Sequence, residues 1–583
     1  MRLRCRAAAV LLMLLAFAPP ALAAAADARL HALADEFLDG WLQRRPHVAT
    51  RLGVHRWDQT LVPITQGSVE QDLAWLSDVG RRLDAIPRAE LSFARAQEYD
   101  VLRWRLARET FALAGERSWQ RDPGYYLDLV AAGIQGLLER GPASRCELAH
   151  ELTGRLAAVP EILRAATVNL HDPPRIRVEA AIPRYLATLA LYRGPVVDVA
   201  MACKDTRAEG DLGEADSAAI RAVQGFVAFL RDAELPRAPE AFALGDSLYR
   251  AKLAADEMED TPLDSLLARG RAELDATRAR MDTLAAAIAP GLGVQAVLDS
   301  LAQDRPAAPE SLLQFVAAQL TGVRRFLQTH DLMTLPDRED LLVRETPAFR
   351  RGTSFASMDA PGPFESASAT AYLDVAPAEP GWPAERIREH LSFYHRFAAQ
   401  NLVIHEALPG HYYQALARRA LASRLRQASP AASNVEGWAH YVERMMVEQG
   451  FGDGDPRAEL AQLSAACQRL GRLVVGISLH ARGMTLDQAQ QFFQDHCLMN
   501  ATNARREALR GALDPTYGVY VLGKWRLLAL RDEVRGRLGP AFRLRAFHDA
   551  VLREGPSPLP VVRAGVLHAL VDERAPAARA ERP

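Results

Sequence analysis

Cysteine is scarce in this chain, with five among 583 residues. Cys5 lies ahead of an N-terminal apolar run, which leaves Cys146, Cys203, Cys467 and Cys497. So few thiols exclude a disulfide-dense mini-domain, and no C-x-x-C pair is present. Two states of the four remain open: a Cys467–Cys497 bridge joining neighbouring helices, or four buried free thiols. Charge of one sign is also lacking. Lys plus Arg number 70 against 72 for Asp plus Glu, a formal net charge of −2. That balance argues against nucleic acid or an anionic membrane as the main partner. Long apolar runs are missing beyond the N-terminus, so no later segment is expected to cross a membrane. There is no P-loop, no Rossmann G-x-G-x-x-G after a strand and no G-x-S-x-G elbow. No Gly/Ser linker or internal repeat divides the chain.

The N-terminus reads as an export signal. Arg2, Arg4 and Arg6 precede the apolar run Ala7 to Phe17, and Ala21-Leu22-Ala23 forms an A-x-A cleavage site. Removal of residues 1–23 after Ala23 would take away three arginines, move the formal charge to −5, and place the mature protein in a periplasm or outside the cell.

What the chain has in abundance is helical pattern. Alanine, leucine, arginine and glutamate dominate, with apolar residues recurring at three and four. The fold class is therefore mainly α, with helices expected at 27–44, 66–86, 89–114, 144–170, 214–233, 261–289 and 309–329. One helical domain is expected over 24–571, followed by a disordered tail at 572–583. The exception is 340–383, where short β-prone runs alternate with proline and glycine. A small β element is expected there. Ala371 to Val375 is its best strand, either binding substrate backbone by strand addition or capping the bundle structurally.

The chemistry concentrates in 384–530. His405-Glu406-Ala407-Leu408-Pro409-Gly410-His411 puts two imidazoles and a carboxylate within seven residues. In H-E-x-x-H the histidines sit about 40° apart on a helix, whereas a spacing of six puts them about 120° apart. A regular helix could not bring both to one metal. Pro409 cannot donate a helical hydrogen bond, and Gly410 can take unusual backbone angles. A local bulge there could turn His411 back toward His405. From spacing alone, metal binding and a structural helix stop stand level. Glu436, His440 and Glu443 follow at i, i+4 and i+7, on one helix face.

HEALPGHYYQ followed by EGWAHYVE resembles the signature of the bacterial family known as domain of unknown function 885, H-E-x-x-P-G-H-x-x-Q and then E-G-W-A-x-Y-x-E. The segments 45–58 (RPHVATRLGVHRWD), 97–106 (QEYDVLRWRL) and 505–533 resemble it too. The resemblance implies a large helical, zincin-like metallopeptidase fold with a deep central cleft. Carried over, His405, His411 and Glu436 would hold Zn²⁺, and Glu406 would be the general base. One departure stands out. Family members often read R-L-V-V-D-x-G-x-H, whereas Arg472 to His480 of this chain carries Gly476 in place of the aspartate and Ser478 in place of the glycine.

Around that set, Glu443 is expected to orient a ligand histidine and His440 to lie one turn away. Trp438 is expected in the core. Tyr517 and Tyr520 are the best candidates to stabilise a developing oxyanion. Arg510 could grip a substrate carboxylate bidentately, and Lys524 could do so as a point charge. His480 and Arg482 end a helix, where capping competes with substrate contact. The implied activity is zinc-dependent cleavage of short peptides by an activated water. The alternatives are a metal hydrolase of another amide or ester, or a metal- or partner-binding protein that has lost catalysis. Nothing in the pattern sets an oligomeric state.

Overall fold

The computed structural model describes residues 20–336, 339–347, 350–351, 354–365 and 370–572. Most of the expected signal segment and the tail from 573 lie outside the described residues. Helix makes up 74% and strand 3%. The seven expected helices appear as Pro20–Arg44, Gln66–Asp84, Phe93–Thr110, Arg145–Asn169, Thr206–Phe229, Leu263–Ile288 and Leu312–His330. Their starts are set by caps that periodicity does not reveal. Asp205, for example, accepts hydrogen bonds from the Arg207 and Ala208 N–H groups, so that helix begins well ahead of its apolar stripe.

Two expectations change. The stretch Arg175–Cys203 is helical, and long and apolar enough to cross a membrane. Its Val178, Tyr185, Leu189 and Tyr192 nevertheless pack into the apolar cluster built by the helices on either side of it in sequence, and Arg177 pairs with Asp122. The disulfide joins Cys146 to Cys203, while Cys467 and Cys497 are free and buried. The Cys467 and Cys497 thiols instead donate to the carbonyls of His496 and Cys467. Neither the 467–497 bridge nor four free thiols is what forms.

Leu61 and residues from 126 to 238 build one apolar cluster by themselves. A second cluster packs the N-terminal helices against Leu425, Ala428, Ala431 and Val561, so remote parts of the chain meet there. Helices Ala432–Glu448 and Val519–Leu538 cross where Gly437 meets Gly523. A Cβ on Gly437 would lie 2.4 Å from the Gly523 Cα, and one on Gly523 would lie 1.7 Å from the Ser433 carbonyl oxygen. Only glycine at both positions permits so close a crossing.

The β element is a three-stranded sheet of β1 (Leu341–Glu345), β2 (Ala356–Asp359) and β3 (Ala371–Val375), in the order β1-β3-β2. β3 runs parallel to β1 and antiparallel to β2. The predicted strand 371–375 is present, but it is the centre of the sheet. Both of its edges are paired, so it has none left for a substrate. The edge that faces the histidine motif belongs to β2.

Candidate metal centre

Helix Arg396–Glu406 ends immediately after His405-Glu406, and a second helix, His411–Arg419, begins at the next histidine. The spacing of six is therefore absorbed by a complete break of four residues, a larger departure than a bulge in one helix. Leu408–Pro409 is a cis peptide. A Cβ on Gly410 would fall 1.8 Å from the His405 carbonyl oxygen, so only glycine lets the chain fold back over that carbonyl. The Trp438 indole N–H donates to the Pro409 carbonyl at 2.9 Å and pins the connection. Trp438 is thus a core residue with a structural hydrogen bond. The two imidazoles end with ring centres 4.7 Å apart, edge to face.

Glu436, on helix Ala432–Glu448, completes the group. Its Oε2 lies 3.5 Å from His405 Nε2 and 3.5 Å from His411 Nε2. Those distances are long for hydrogen bonds, and this buried oxygen has no hydrogen-bond partner among the described residues. Among the described residues these three are the one His/Cys/Asp/Glu group whose ligand atoms converge, all within 4.8 Å of one another. A tetrahedral ion with bonds of about 2.0–2.2 Å needs ligand atoms about 3.4 Å apart. The donor set and the orphaned oxygen fit a divalent cation.

Glu443 supports the set from behind. Its Oε1 lies 2.6 Å from His405 Nδ1, which places a proton on Nδ1 and turns Nε2 toward Glu436 and His411. Arg469, which sequence reading missed, reaches Glu443 Oε1 at 2.8 Å. Its signal was an arginine inside the buried run from Ala466 to Val475. Burial opposes charge on Glu443, but Arg469 and the His405 hydrogen bond hold its carboxyl well below the usual range. Burial likewise disfavours charged His405, yet Glu436 and Glu443 raise its pKa to about 9 without a metal. Glu436 is held well below the usual range by both histidines, against the opposing effect of burial. His440 stands 3.5 Å from Glu443 Oε2. It lies outside the converging set, and burial keeps it neutral.

Glu406 turns its carboxylate to the sheet, where Oε2 accepts the Met358 N–H of β2 at 3.1 Å. The Tyr520 ring lies 6.4 Å from the His405 ring, and Arg510 Nη2 lies 3.4 Å from the Tyr520 hydroxyl. Burial and the nearby Glu436 charge raise the Tyr520 phenol, so it remains a proton donor. Arg510 is exposed.

The other candidates stand elsewhere. Tyr517 is fully buried, its ring against Gly476 and Gly511 and its hydroxyl without a partner among the described residues. His480 lies eleven residues beyond Arg469 on helix Pro456–Ala481, about 16 Å along the axis. It is buried, bonded through Nε2 to the Gly511 carbonyl at 2.9 Å, and held by burial at a pKa of about 4. Arg482 pairs with Asp246 and Asp264, Arg505 with Asp487, and buried Lys524 with Glu273. Gly476 sits against the Pro515 carbonyl, which a Cβ would meet at 3.0 Å.

The sequence profile of the family described as "Bacterial protein of unknown function (DUF885)" matches residues 46–566. The chain belongs to this family. Solved structures similar to this DUF885 protein include one titled "a putative lipoprotein of unknown function from Shewanella oneidensis". It is 23% identical, with a TM-score of 0.79, over 91% of this chain and 98% of that one. A "putative lipoprotein from Colwellia psychrerythraea" is 19% identical, with a TM-score of 0.80, over 94% and 99%. At these identities the likeness concerns the fold. No curated protein matches the chain.

Proposed function

We propose that this DUF885 protein is an exported zinc-dependent peptidase of the zincin type, acting on short peptides in a cleft between its helical halves. The observation that carries this reading is the Glu436 oxygen, 3.5 Å from each imidazole nitrogen and bonded to neither. Two imidazoles and one carboxylate form a common catalytic zinc set that leaves a fourth position open. Zinc, when bound, would polarise a carbonyl and acidify water at the site.

The remaining work falls to the chain's own groups. Glu406, steadied by the Met358 N–H, takes the proton of the attacking water and passes it to the leaving amine. Tyr520 donates to the oxygen that gains charge as the carbonyl is attacked. Glu443 holds the His405 tautomer, and Arg469 holds Glu443. On β2, the Ala356 N–H and carbonyl and the Met358 carbonyl point away from β3, beside the Met358 N–H that Glu406 holds. Such an edge can take an extended peptide as a further strand. The N-terminal signal pattern supports export.

Metal analysis of the mature protein beside His411→Ala tests the reading. About one zinc per chain is expected in the parent and none in the variant. A parent that holds no metal after zinc is supplied would overturn it.

A further inference from the structure

Arg418 is a half-buried guanidinium with no paired carboxylate among the described residues. It lies on helix His411–Arg419, seven residues after the ligand His411. Seven residues make two turns, so both side chains leave the same helix face, about 10 Å apart along the axis. The Arg418 Nε donates to the Gln427 carbonyl, and among the described residues no carboxylate pairs with its remaining N–H groups. Burial depresses its pKa to about 10. A guanidinium withdrawn from water and left unpaired is costly, so such a group is normally matched by an anion.

Two further arginines gather beside it. Arg45 and Arg105 share a single carboxylate, Glu109, at 2.5 and 3.0 Å. Arg105 is buried and packs over the Trp41 ring at 4.3 Å. Burial lowers its pKa to about 10, and Arg108, Arg45 and Arg418 push in the same direction. Arg108 has its own partner in Asp256. Arg45 and Arg105 therefore share one carboxylate, and Arg418, two turns along its helix from His411, pairs with none among the described residues. Arg45 and Arg105 fall in the segments 45–58 and 97–106, to which sequence reading gave no chemical role.

We infer that Arg418, backed by Arg45 and Arg105, is a subsite for a substrate carboxylate, about 10 Å along the helix from His411. The inference rests on the peptidase reading of the same centre. Three extended residues span about 10 Å. The substrate class is thus a peptide that carries a carboxylate about three residues from the bond cleaved. That carboxylate is either its C-terminus or an Asp or Glu side chain, gripped by the planar guanidinium fork.

The test is a calorimetric titration of the mature, zinc-supplied protein carrying Glu406→Gln, so that no turnover intervenes. Three probes are compared: N-acetyl tetra-alanine with a free carboxylate, its C-terminal amide, and the amide with aspartate as the fourth residue. At least one carboxylate probe is expected to bind about ten- to a hundredfold more tightly than the neutral amide, with that ratio falling to about one in Arg418→Met. A preference for the free acid alone assigns the C-terminus, and a preference for the aspartyl amide assigns a side chain. Equal binding of all three probes overturns the inference, as does a preference that survives Arg418→Met, which would place the carboxylate on the metal. If Arg418→Met does not fold, Arg418→Lys is read instead. A point charge without the fork keeps a smaller preference, and an undiminished one overturns the inference. Binding ratios do not depend on hydrolysis, so a ratio of one leaves the peptidase reading standing, and a protein that cleaves nothing leaves the ratio readable.

Discussion

Two regions of this protein carry a histidine, a tyrosine and a tight glycine, and they have opposite characters. At His405 and His411 the polar atoms converge without bonding one another, and Glu436 Oε2 is left orphaned between two imidazoles. At His480 and Tyr517 the same residue types are sealed in the core. His480 is satisfied by the Gly511 carbonyl, and Tyr517 fills the space that Gly476 and Gly511 leave open. The glycines show the same division. Gly410 lets a helix break and bring a second imidazole beside the first, whereas Gly476 lets an aromatic ring pack flush. Residue type alone does not separate a site from a core. The separation lies in whether the polar atoms are consumed by one another or aimed together at a shared point.

The comparison breaks most severely at Glu406. Glu406→Gln is expected to lower kcat on a cleavable peptide by about 10²- to 10⁴-fold while zinc content stays at the parent level. Retained activity would transfer the base role elsewhere. The tyrosine pair sharpens the contrast further. Tyr520→Phe should lower kcat by about 10²- to 10³-fold, as the loss of an oxyanion donor does. Tyr517→Phe removes a buried hydroxyl that has no partner among the described residues and should leave kcat within about twofold and the melting temperature equal or higher. Equal effects from the two variants would erase the distinction drawn between the two regions.

Much of this was legible in the sequence. Helical periodicity gave the helices, and β-prone runs between prolines gave the strand at 371–375. The resemblance, rather than the spacing, pointed to His405, His411 and Glu436, because a spacing of six forbids a shared metal on any regular helix. What remained hidden was what only packing decides. The order of the strands put β3 in the middle of the sheet and gave β2 the free edge. Tyr517 and Tyr520 are three residues apart on adjoining turns, yet one enters the core and the other faces His405. Neither Arg469 nor Arg418 falls within a motif that the sequence displays. Their meaning comes from Glu443 in one case and, in the other, from the lack of a paired carboxylate among the described residues.

Glu443 makes a finer cut within the metal region. It touches the His405 nitrogen that faces away from Glu436, and its loss should loosen the site without removing a ligand. Glu443→Gln is expected to weaken zinc affinity by about ten- to a hundredfold, the usual effect of losing the partner that orients a ligand histidine. Competition with a chelator of known affinity measures it. Arg469→Met should move affinity in the same direction by a smaller factor, because it acts on Glu443 rather than on the ligand. An affinity unchanged in both would make the Glu443 cluster a matter of packing alone.

The smallest effect concerns the buried counterpart. His480 has an ordinary pKa near 6.5 when unfolded and about 4 when folded, because burial disfavours its charged form. The unfolded chain therefore binds more protons between those values. The stability that neutral His480 contributes is full above pH 6.5 and is lost as pH falls toward 4. At pH 5 the loss from this one group is about 2 kcal/mol. His480→Gln can keep a donor toward the Gly511 carbonyl but cannot titrate. Its unfolding free energy in urea should fall less than that of the parent between pH 7.5 and 5, by about that amount, while kcat/KM at pH 7.5 stays within about twofold. A large fall in kcat/KM would return His480 to the catalytic machinery and place the two histidine regions in one site.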